Sequence, residues 1–241
     1  MIHLQNITCC FNHKTILQNI NLSIQKHVTI LGANGSGKST LAKVICGLVE
    51  HEGEVLIDSK CTQTISLVQR AKLLSYIPAK LEIYDHYISV EEFVLLGRFP
   101  YKKSFLEYTQ KDKNITKQTL EFLNIQHLAK HTLSSLSSGE QQLTLIAQAL
   151  AQQSKIIICD EPTANLDPYN SKIIAQHIKG LKEYHRIILI THDLHLASYV
   201  DSPIAFIKDK TITLYEFDFF QDKKLQELYG VKFNDMVAQY D

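Results

Sequence analysis

The sequence predicts an α/β fold in which a β-rich core is interrupted by a helical segment. Three short β-branched and apolar runs are typical of buried parallel strands: Val28–Leu31, Lys155–Cys159 and Arg186–Ile190. Between about residues 88 and 153 the apolar spacing is helical instead. We therefore expect one domain, with a core and an antiparallel β layer from about 1–87 and 154–241, and a helical subdomain from about 88–153.

Composition and charge narrow the possible partners. Lys and Arg number 25, as do Asp and Glu, so no positive surplus favours nucleic acid or an anionic membrane. No apolar run approaches the roughly 18 residues that a membrane span needs, and the first residues lack a signal-peptide pattern. Membrane attachment is therefore expected only through a protein partner. The five cysteines show no CxxC spacing, which favours reduced thiols over a metal site.

The first thirty residues predict strands of the antiparallel layer. Residues 2–8 and 20–31 alternate or run apolar, with a turn at Asn12–Lys14 between them. Phe11 lies 21 residues before the first glycine of the loop that follows this layer. Its ring could stack on a nucleotide base or simply pack within the layer, and both roles stay open.

A glycine-rich loop follows Val28–Leu31 and precedes helical spacing over Leu41–Leu48. The pattern is Gly, four residues and Gly-Lys-Ser, in which backbone N–H groups and a helix start would surround a phosphate. Lys38 would reach the β- and γ-phosphates, and the Ser39 hydroxyl would bind Mg²⁺. A simple turn is the alternative, but the flanking strand and helix favour nucleotide binding. The loop residues expected to bind nucleotide are Gly32, Asn34, Gly35, Ser36, Gly37, Lys38, Ser39 and Thr40.

The rest of the chain supplies the remaining elements in order. Turn residues Glu50–Gly53 precede a strand at Glu54–Asp58, and Pro78 ends a strand at Leu73–Ile77. Residues 101–114 are polar and Lys-rich, so we expect them to be solvated. Helices are predicted over Ser89–Leu96, Thr116–Leu123, Ser137–Leu150, Ser171–Glu183 and 222–229, and a hairpin over Pro203–Lys208 and Thr211–Tyr215 turning at Asp209–Lys210.

Two acids end the apolar run Lys155–Cys159. An acid at the carboxyl end of a strand beside a phosphate loop can hold the Mg²⁺ of the nucleotide, which suits Asp160. The next carboxylate, Glu161, can orient or deprotonate an attacking water. Helix capping is the alternative for this pair. Upstream, Ser137 and Gly139 begin a predicted helix and would offer a hydroxyl and backbone N–H groups to a phosphate.

These motifs together resemble those of ATP-binding cassette (ABC) ATPases. Leu136-Ser-Ser-Gly-Glu140 is similar to the LSGGQ signature, Asp160–Asp167 to the Walker B segment with its D-loop, and Thr191–Asp193 to the switch-histidine segment. The resemblance covers nearly the whole chain. It implies a P-loop NTPase fold with a RecA-like core, an antiparallel β subdomain and an inserted α-helical subdomain.

The resemblance also implies a head-to-tail dimer with two ATP molecules and Mg²⁺ at the interface. Ser137, Ser138 and Gly139 would then meet the γ-phosphate bound by the other subunit. Glu161 would polarise the attacking water and His192 would contact the γ-phosphate as catalytic residues. The remaining implied roles are base stacking by Phe11, a link between the two sites by Asp167, and Mg²⁺ binding by Ser39 and Asp160.

One stretch resembles a narrower group within the family. Leu95–Tyr101 is similar to a Gly-Arg-aromatic-Pro stretch in ATPases of importers for iron–siderophore, haem and vitamin B12, and Leu225–Val231 is similar to their ending. This implies integral membrane permease subunits as partners and, indirectly, an extracytoplasmic substrate-binding protein. The protein would lie on the cytoplasmic face of the inner membrane and would bind no nucleic acid. Helix packing is the alternative reason for the first stretch.

The sequence departs from the family pattern at three places. Glu140 brings a negative charge to the signature, and we expect activity to survive if its carboxylate points away from the phosphate. Ala79 stands where the Q-loop glutamine is expected, so water or a neighbour such as Glu82 replaces the missing oxygen, or hydrolysis is slow. The usual Gly-Glu turn is absent from Ser23–Val28, which we expect to shorten a surface turn only.

Three other functions compete with the importer. An exporter-class ATPase is disfavoured by the Gly97–Tyr101 stretch. A soluble ABC protein of DNA repair or translation would be expected to have two cassettes, a coiled coil or a basic surface, and none of these is present in the sequence. A regulatory protein that binds ATP without hydrolysing it is suggested by Ala79 but disfavoured by Glu161 and His192.

Overall fold

A computed structural model of the chain describes residues 1–103, 107–216 and 218–231. They divide into two compact units, one from Met1–Ile65 with the described part of Ala175–Asp241, the other Ser66–Ile174. The range 88–153 falls inside the second unit, and its separation as a helical subdomain stays a prediction. None of the helices in these ranges is long and apolar enough to cross a membrane.

The helices and strands alternate along most of the chain. In order they are β1 (Ile2–Phe11), β2 (Lys14–Ile24), β3 (Val28–Gly32), α1 (Lys38–Ile45), β4 (Glu52–Ile57), β5 (Lys60–Cys61), α2 (Leu67–Leu73), β6 (Leu74–Ile77), α3 (Val90–Leu96), α4 (Gln110–Phe122), α5 (Ser138–Ala151), β7 (Ile156–Asp160), α6 (Pro168–Leu181), β8 (Arg186–Ile190), α7 (Leu194–Val200), β9 (Ile204–Lys208), β10 (Thr211–Tyr215) and α8 (Asp222–Tyr229).

The first unit contains the predicted antiparallel layer. Its strands lie in the order β2-β1-β4-β5, with Leu4 of β1 opposite Leu22 of β2. Burial alternates over Ile2–Leu4 and again over Ile7–Cys9, and an irregularity between Leu4 and Ile7 shifts the phase. The β1–β2 turn is at the predicted place, because Asn12 and His13 both have positive φ, which suits a two-residue hairpin.

The parallel strands of the first unit carry two of the predicted motifs to one edge. β3 lies between β8 and β9 and is parallel to both, and β10 extends the order through the predicted hairpin. β3 is buried along its whole length. The carboxyl ends of neighbouring parallel strands share an edge, so Gly32 after β3 and Thr191 after β8 are brought together. The Thr191 N–H donates to the Ile30 carbonyl at 3.2 Å.

The second unit combines a parallel strand pair with helices. β6 and β7 run side by side, with Leu74 opposite Ile156 and Ile77 opposite Cys159. Helix α5 packs on α3 and α4, and it is buried on all sides over Thr144–Ala147. All five cysteines of the chain are free thiols, and Cys9, Cys46 and Cys159 are buried.

Several sequence predictions are wrong in detail. The expected strand 20–31 is two strands, because the chain bends at Gln25–His27. β4 begins at Glu52, inside the expected turn, and helices α2 and α7 were not predicted. The expected solvated stretch 101–114 contains the start of α4, and its Asp112 is buried because Arg98 pairs with it. Residues 104–106 of that stretch lie outside the described residues.

His27 links the starts of β3 and β8, the two strands whose carboxyl ends bring Gly32 and Thr191 together. It directly precedes β3, and its Nδ1 accepts a hydrogen bond from the Ile187 N–H of β8 at 3.1 Å. Burial, together with the charges of Lys182 and Lys26, lowers the pKa of His27 to about 4. The unfolded chain therefore binds a proton between about pH 6.5 and 4 that the folded chain does not.

We expect the free energy of unfolding to fall by about 1 kcal/mol as the pH drops from 6.5 to 4, the ring being only partly buried. His27→Asn, which keeps an acceptor in place of Nδ1, should flatten this dependence in urea unfolding followed across the pH range. The exposed turn variant His13→Asn is the control and should keep the wild-type profile. An equally steep profile for His27→Asn would contradict the assignment.

Candidate active site

The glycine-rich loop closes tightly between β3 and α1. A Cβ on Gly32 would lie 2.6 Å from the Ile207 carbonyl oxygen, so the loop starts against the backbone of β9. Gly37 has φ 101°, and a Cβ there would lie 2.9 Å from the Leu17 side chain. Both positions therefore require glycine, and the loop shape is fixed by the surrounding strands.

Charge and an unsatisfied polar group are concentrated in this loop. The Lys38 side chain is only 6% exposed, and its Nζ donates to the Gly32 and Ala33 carbonyl oxygens at 2.9 and 3.1 Å. The Ser36 hydroxyl is buried without a hydrogen-bond partner. A buried ammonium, an orphaned hydroxyl and a helix start form a site that suits phosphate. The residues present thus fit a nucleotide phosphate chain.

The other predicted loop residues lie on its outer side. Asn34, Gly35 and Ser39 are exposed and Thr40 is half-buried. Helix α1 begins with Gly37 as its N-cap residue, which offers no capping side chain. Ser39 thus stands in the first turn of a helix whose end suits an anion, and its Mg²⁺ role stays a proposal.

His192 and Phe11 belong to the same unit as the loop. His192 is exposed and directly follows Thr191, at the edge that β3 and β8 share. Asp193 caps α7 by accepting from the N–H groups of His195 and Leu196, which fixes the chain just after His192. Phe11 ends β1 and is 46% exposed, so its ring is accessible and a base-stacking role stays a proposal.

The second unit holds Asp160, the last residue of β7, and Glu161, which follows it. Asp160 is 3% exposed, and its Oδ2 accepts a hydrogen bond of 2.7 Å from the Tyr76 hydroxyl. Burial and the neighbouring Asp160 charge raise the pKa of the Cys159 thiol to about 12, so that thiol stays neutral. Sequence reasoning missed Tyr76, because the pairing of its strand with β7 is seen only in the structure.

Glu161 has an unusual backbone conformation. Its φ is 48°, in the left-handed region that non-glycine residues rarely adopt, and its carbonyl accepts from the Ala164 N–H in a tight turn. Such a conformation costs about 1 kcal/mol and often occurs at functional sites. The different roles predicted for Asp160 and Glu161 stay proposals.

The signature residues form the start of α5. Ser137 is the N-cap residue, and its hydroxyl and N–H both donate to the Glu140 carboxylate, at 2.6 and 2.8 Å. The Glu140 N–H donates back to the Ser137 hydroxyl, which completes a capping box. These hydrogen bonds lower the pKa of Glu140. The Glu140 carboxylate is therefore held against the Ser137 hydroxyl, which is the hydroxyl predicted to meet the phosphate.

Gly139 and Asp167 are linked through Asn170, a residue that sequence reasoning missed. Asp167 precedes Pro168 of α6 and accepts hydrogen bonds from the N–H and the Nδ2 of Asn170. These hydrogen bonds lower the pKa of Asp167. A Cβ on Gly139 would lie 2.6 Å from the Asn170 amide, so a larger residue there would displace the Asn170 side chain. The sequence signal for the bond between Asp167 and Asn170 was an Asp-Pro helix start with a polar residue three positions after the aspartate.

Glu82, the residue proposed to replace the oxygen that Ala79 lacks, lies three residues further along the chain. Glu82 accepts a hydrogen bond from the Tyr84 hydroxyl, and both side chains are exposed. Ser138 is exposed as the first residue of α5. No cluster of three or more His, Cys, Asp or Glu side chains able to hold a metal occurs in the described part of the chain.

Comparison with known proteins supports the resemblance of the motifs. The sequence profile described as ABC transporter matches residues 17–164. An uncharacterised ABC transporter ATP-binding protein of Methanocaldococcus jannaschii is 34% identical over 88% of this chain and 84% of its own length. A probable iron chelatin transport ATP-binding protein of Helicobacter pylori is 30% identical over 89% and 86%. A manganese transport system ATP-binding protein of Listeria innocua is 32% identical over 95% and 96%.

Solved structures confirm the predicted fold class. A putative metal-chelate type ABC transporter in an inward-facing conformation matches with a TM-score of 0.83 and 25% identity, over 96% of this chain and 89% of that one. A dimeric ABC transporter cassette matches with a TM-score of 0.78 and 28% identity, over 90% and 98%. The mixed α/β architecture is therefore that of ABC ATPase cassettes.

We expect Glu140→Gln to favour nucleotide-driven dimerisation. Glutamine keeps the capping box, because its side-chain oxygen also accepts, but it removes a negative charge next to Ser137. In a Glu161→Gln background, the ATP concentration that gives half-maximal dimer in light scattering should fall several-fold. Glu121→Gln on the exposed face of α4 is the control and should change nothing. A higher ATP requirement for Glu140→Gln would show that the carboxylate assists binding.

Proposed function

Because the chain belongs to the ABC transporter family and is an ATPase subunit of such a transporter, we propose that it powers import of an iron chelate, haem or a related cobalamin compound. The relative named for iron chelatin and the metal-chelate type structural neighbour support this substrate class. The relative named for manganese makes a bare metal ion the main alternative cargo. The permease would be a separate chain.

The Gly97–Tyr101 segment is the main support for the importer proposal, because its sequence resembles a stretch in ATPases of metal-chelate importers. Arg98 is 3% exposed, pairs with Asp112 at 2.9 Å and donates to the Ala151 carbonyl at 2.7 Å. It also donates to the Gln153 side chain and packs on the Tyr101 ring. A buried arginine with its donors used in this way fixes the backbone around it.

That segment is held rigidly against the end of α5. A Cβ on Gly97 would lie 2.3 Å from the Gln148 carbonyl, so the two backbones touch. The same segment leaves Phe99 64% exposed, beside the exposed Leu96. α5 has 14 residues and is therefore about 20 Å long, with the signature at its other end. A displacement at Ser137 would thus move the Phe99 surface, where a permease could be contacted.

The proposed chemistry is hydrolysis of ATP with Mg²⁺. Lys38 and the loop N–H groups bind the phosphates. Ser39 and Asp160 would hold the Mg²⁺, which would supply positive charge against the phosphates. Glu161 takes the proton of the attacking water, and His192 contacts the γ-phosphate. Ser137, Ser138 and Gly139 of the other subunit complete the site, and Asp167 links the two sites.

The proposed assembly is a head-to-tail dimer at the cytoplasmic face of the inner membrane. Each dimer would bind two permease subunits there, and an extracytoplasmic binding protein would deliver the cargo to them. ATP binding closes the dimer and hydrolysis reopens it, as with other ligand-driven closures. The dimeric state of a related cassette supports this assembly.

Glu161→Gln should bind ATP as the wild type does but lose hydrolysis by at least 100-fold, because the amide cannot accept the proton of water. Size-exclusion chromatography with ATP and Mg²⁺ should show a trapped dimer. Glu183→Gln, at an exposed site, is the control and should hydrolyse normally. Wild-type turnover in Glu161→Gln would exclude Glu161 as the base.

Phe99→Asp should weaken capture of a polytopic permease from native membranes in mild detergent, because a charge replaces an exposed aromatic contact. ATP hydrolysis by the isolated protein should stay normal. Phe122→Asp is the matched control, since Phe122 is 57% exposed at the end of α4.

Mass spectrometry of the captured material would identify the permease. Uptake of labelled iron chelate, compared with uptake of labelled Mn²⁺, would distinguish the two cargo classes. Recovery of only soluble or nucleic-acid-bound partners would contradict the importer.

A further inference from the structure

We propose that Tyr76 positions the Asp160 carboxylate for metal binding and so takes over part of the role for which Ala79 has no polar atom. The inference rests on the proposed function, in which Asp160 binds the Mg²⁺ of the nucleotide. It concerns a residue that neither the motifs nor the family resemblance singled out. Its basis is the geometry of the β6–β7 strand pair.

The strand register places the two side chains on the same face. Tyr76 of β6 is opposite Ile158 of β7, and Asp160 lies two residues further along β7. Side chains two residues apart on a strand point to the same side, so Tyr76 and Asp160 share that side. A tyrosine is long enough to cover the remaining offset. The hydroxyl donates to Asp160 Oδ2 at 2.7 Å.

This hydrogen bond is strong for physical reasons. Asp160 is 3% exposed, so solvent competes little for its charge. A hydroxyl that donates to a carboxylate forms a short, charge-assisted bond. The bond fixes the rotation of the carboxylate about its Cβ–Cγ axis and therefore the direction in which its oxygens face. Mutation of a residue that holds a metal ligand in this way typically lowers metal affinity about 10- to 100-fold.

Tyr76 also connects this carboxylate to the segment that contains Ala79. Only Ile77 and Pro78 separate the two residues. Glu82, the other acceptor considered for this role, receives the Tyr84 hydroxyl on the exposed surface. A movement of the segment after β6 would therefore reach Asp160 through the Tyr76 hydroxyl.

The test compares metal affinity with nucleotide affinity. Tyr76→Phe keeps the ring and removes only the donor, and Tyr84→Phe removes the hydroxyl donor of the exposed Glu82 contact as a matched control. Mn²⁺ binding is titrated by electron paramagnetic resonance with a non-hydrolysable ATP analogue bound, and analogue binding is measured separately in EDTA. Tyr76→Phe should weaken Mn²⁺ binding 10- to 100-fold, with metal-free analogue affinity unchanged within about twofold.

The outcomes separate this inference from the proposed metal site. Asp160→Asn should weaken Mn²⁺ binding at least as much as Tyr76→Phe, and Tyr84→Phe should not weaken it. Wild-type Mn²⁺ affinity in Tyr76→Phe, with weak binding in Asp160→Asn, would overturn the role of Tyr76 alone. Wild-type affinity in Asp160→Asn would overturn both assignments. Equal losses of metal and metal-free analogue binding in Tyr76→Phe would reduce Tyr76 to a structural role and overturn the inference.

Discussion

Helix α5 is held at both ends by side-chain hydrogen bonds, and much of the proposed mechanism depends on this constraint. Its first turn is fixed by the reciprocal bonds of Ser137 and Glu140. The carbonyl of its last residue, Ala151, accepts from the buried Arg98, whose charge Asp112 balances. Breaking either partner of a buried pair is costly, by about 3–5 kcal/mol, so the helix end and the segment on it move together. A helix fixed in this way transmits a displacement instead of absorbing it.

The carboxylates of the second unit share one property. Glu140, Asp160 and Asp167 each accept a hydrogen bond from a residue of their own unit: Ser137, Tyr76 and Asn170. Each acid is thereby oriented within a single chain. A metal, phosphate or second subunit would meet groups that are already positioned, which lowers the entropy cost of forming the site.

The fold was predictable where the sequence pattern is local. The sequence predicts β3, β7 and β8, because a strand that is buried on both faces needs a continuous apolar run. It predicts the turn at Asn12–His13, because a two-residue turn with positive φ favours particular residues. The loop around Lys38 is predictable for the same reason. Burial of Asp112, the Tyr76–Asp160 bond and the contact between Gly139 and Asn170 were not predictable, because each joins residues from different elements. Helix α2 was missed since none of its residues is buried, which leaves no apolar periodicity to detect.

The structure shows a polar contact close to Ala79, the position where the family pattern has a glutamine: the hydrogen bond between Tyr76 and Asp160. A glutamine offers a neutral oxygen, whereas the Tyr76 hydroxyl donates to a carboxylate that is nearly inaccessible to water. Hydrogen bonds to charged groups contribute about 1.5–3 kcal/mol. The Ala79 position therefore lacks an oxygen for the metal, while the charge-assisted hydrogen bond from Tyr76 stays in place on the preceding strand. In the proposed site, Tyr76 can therefore keep the Asp160 carboxylate oriented without the glutamine that the family resemblance leads one to expect.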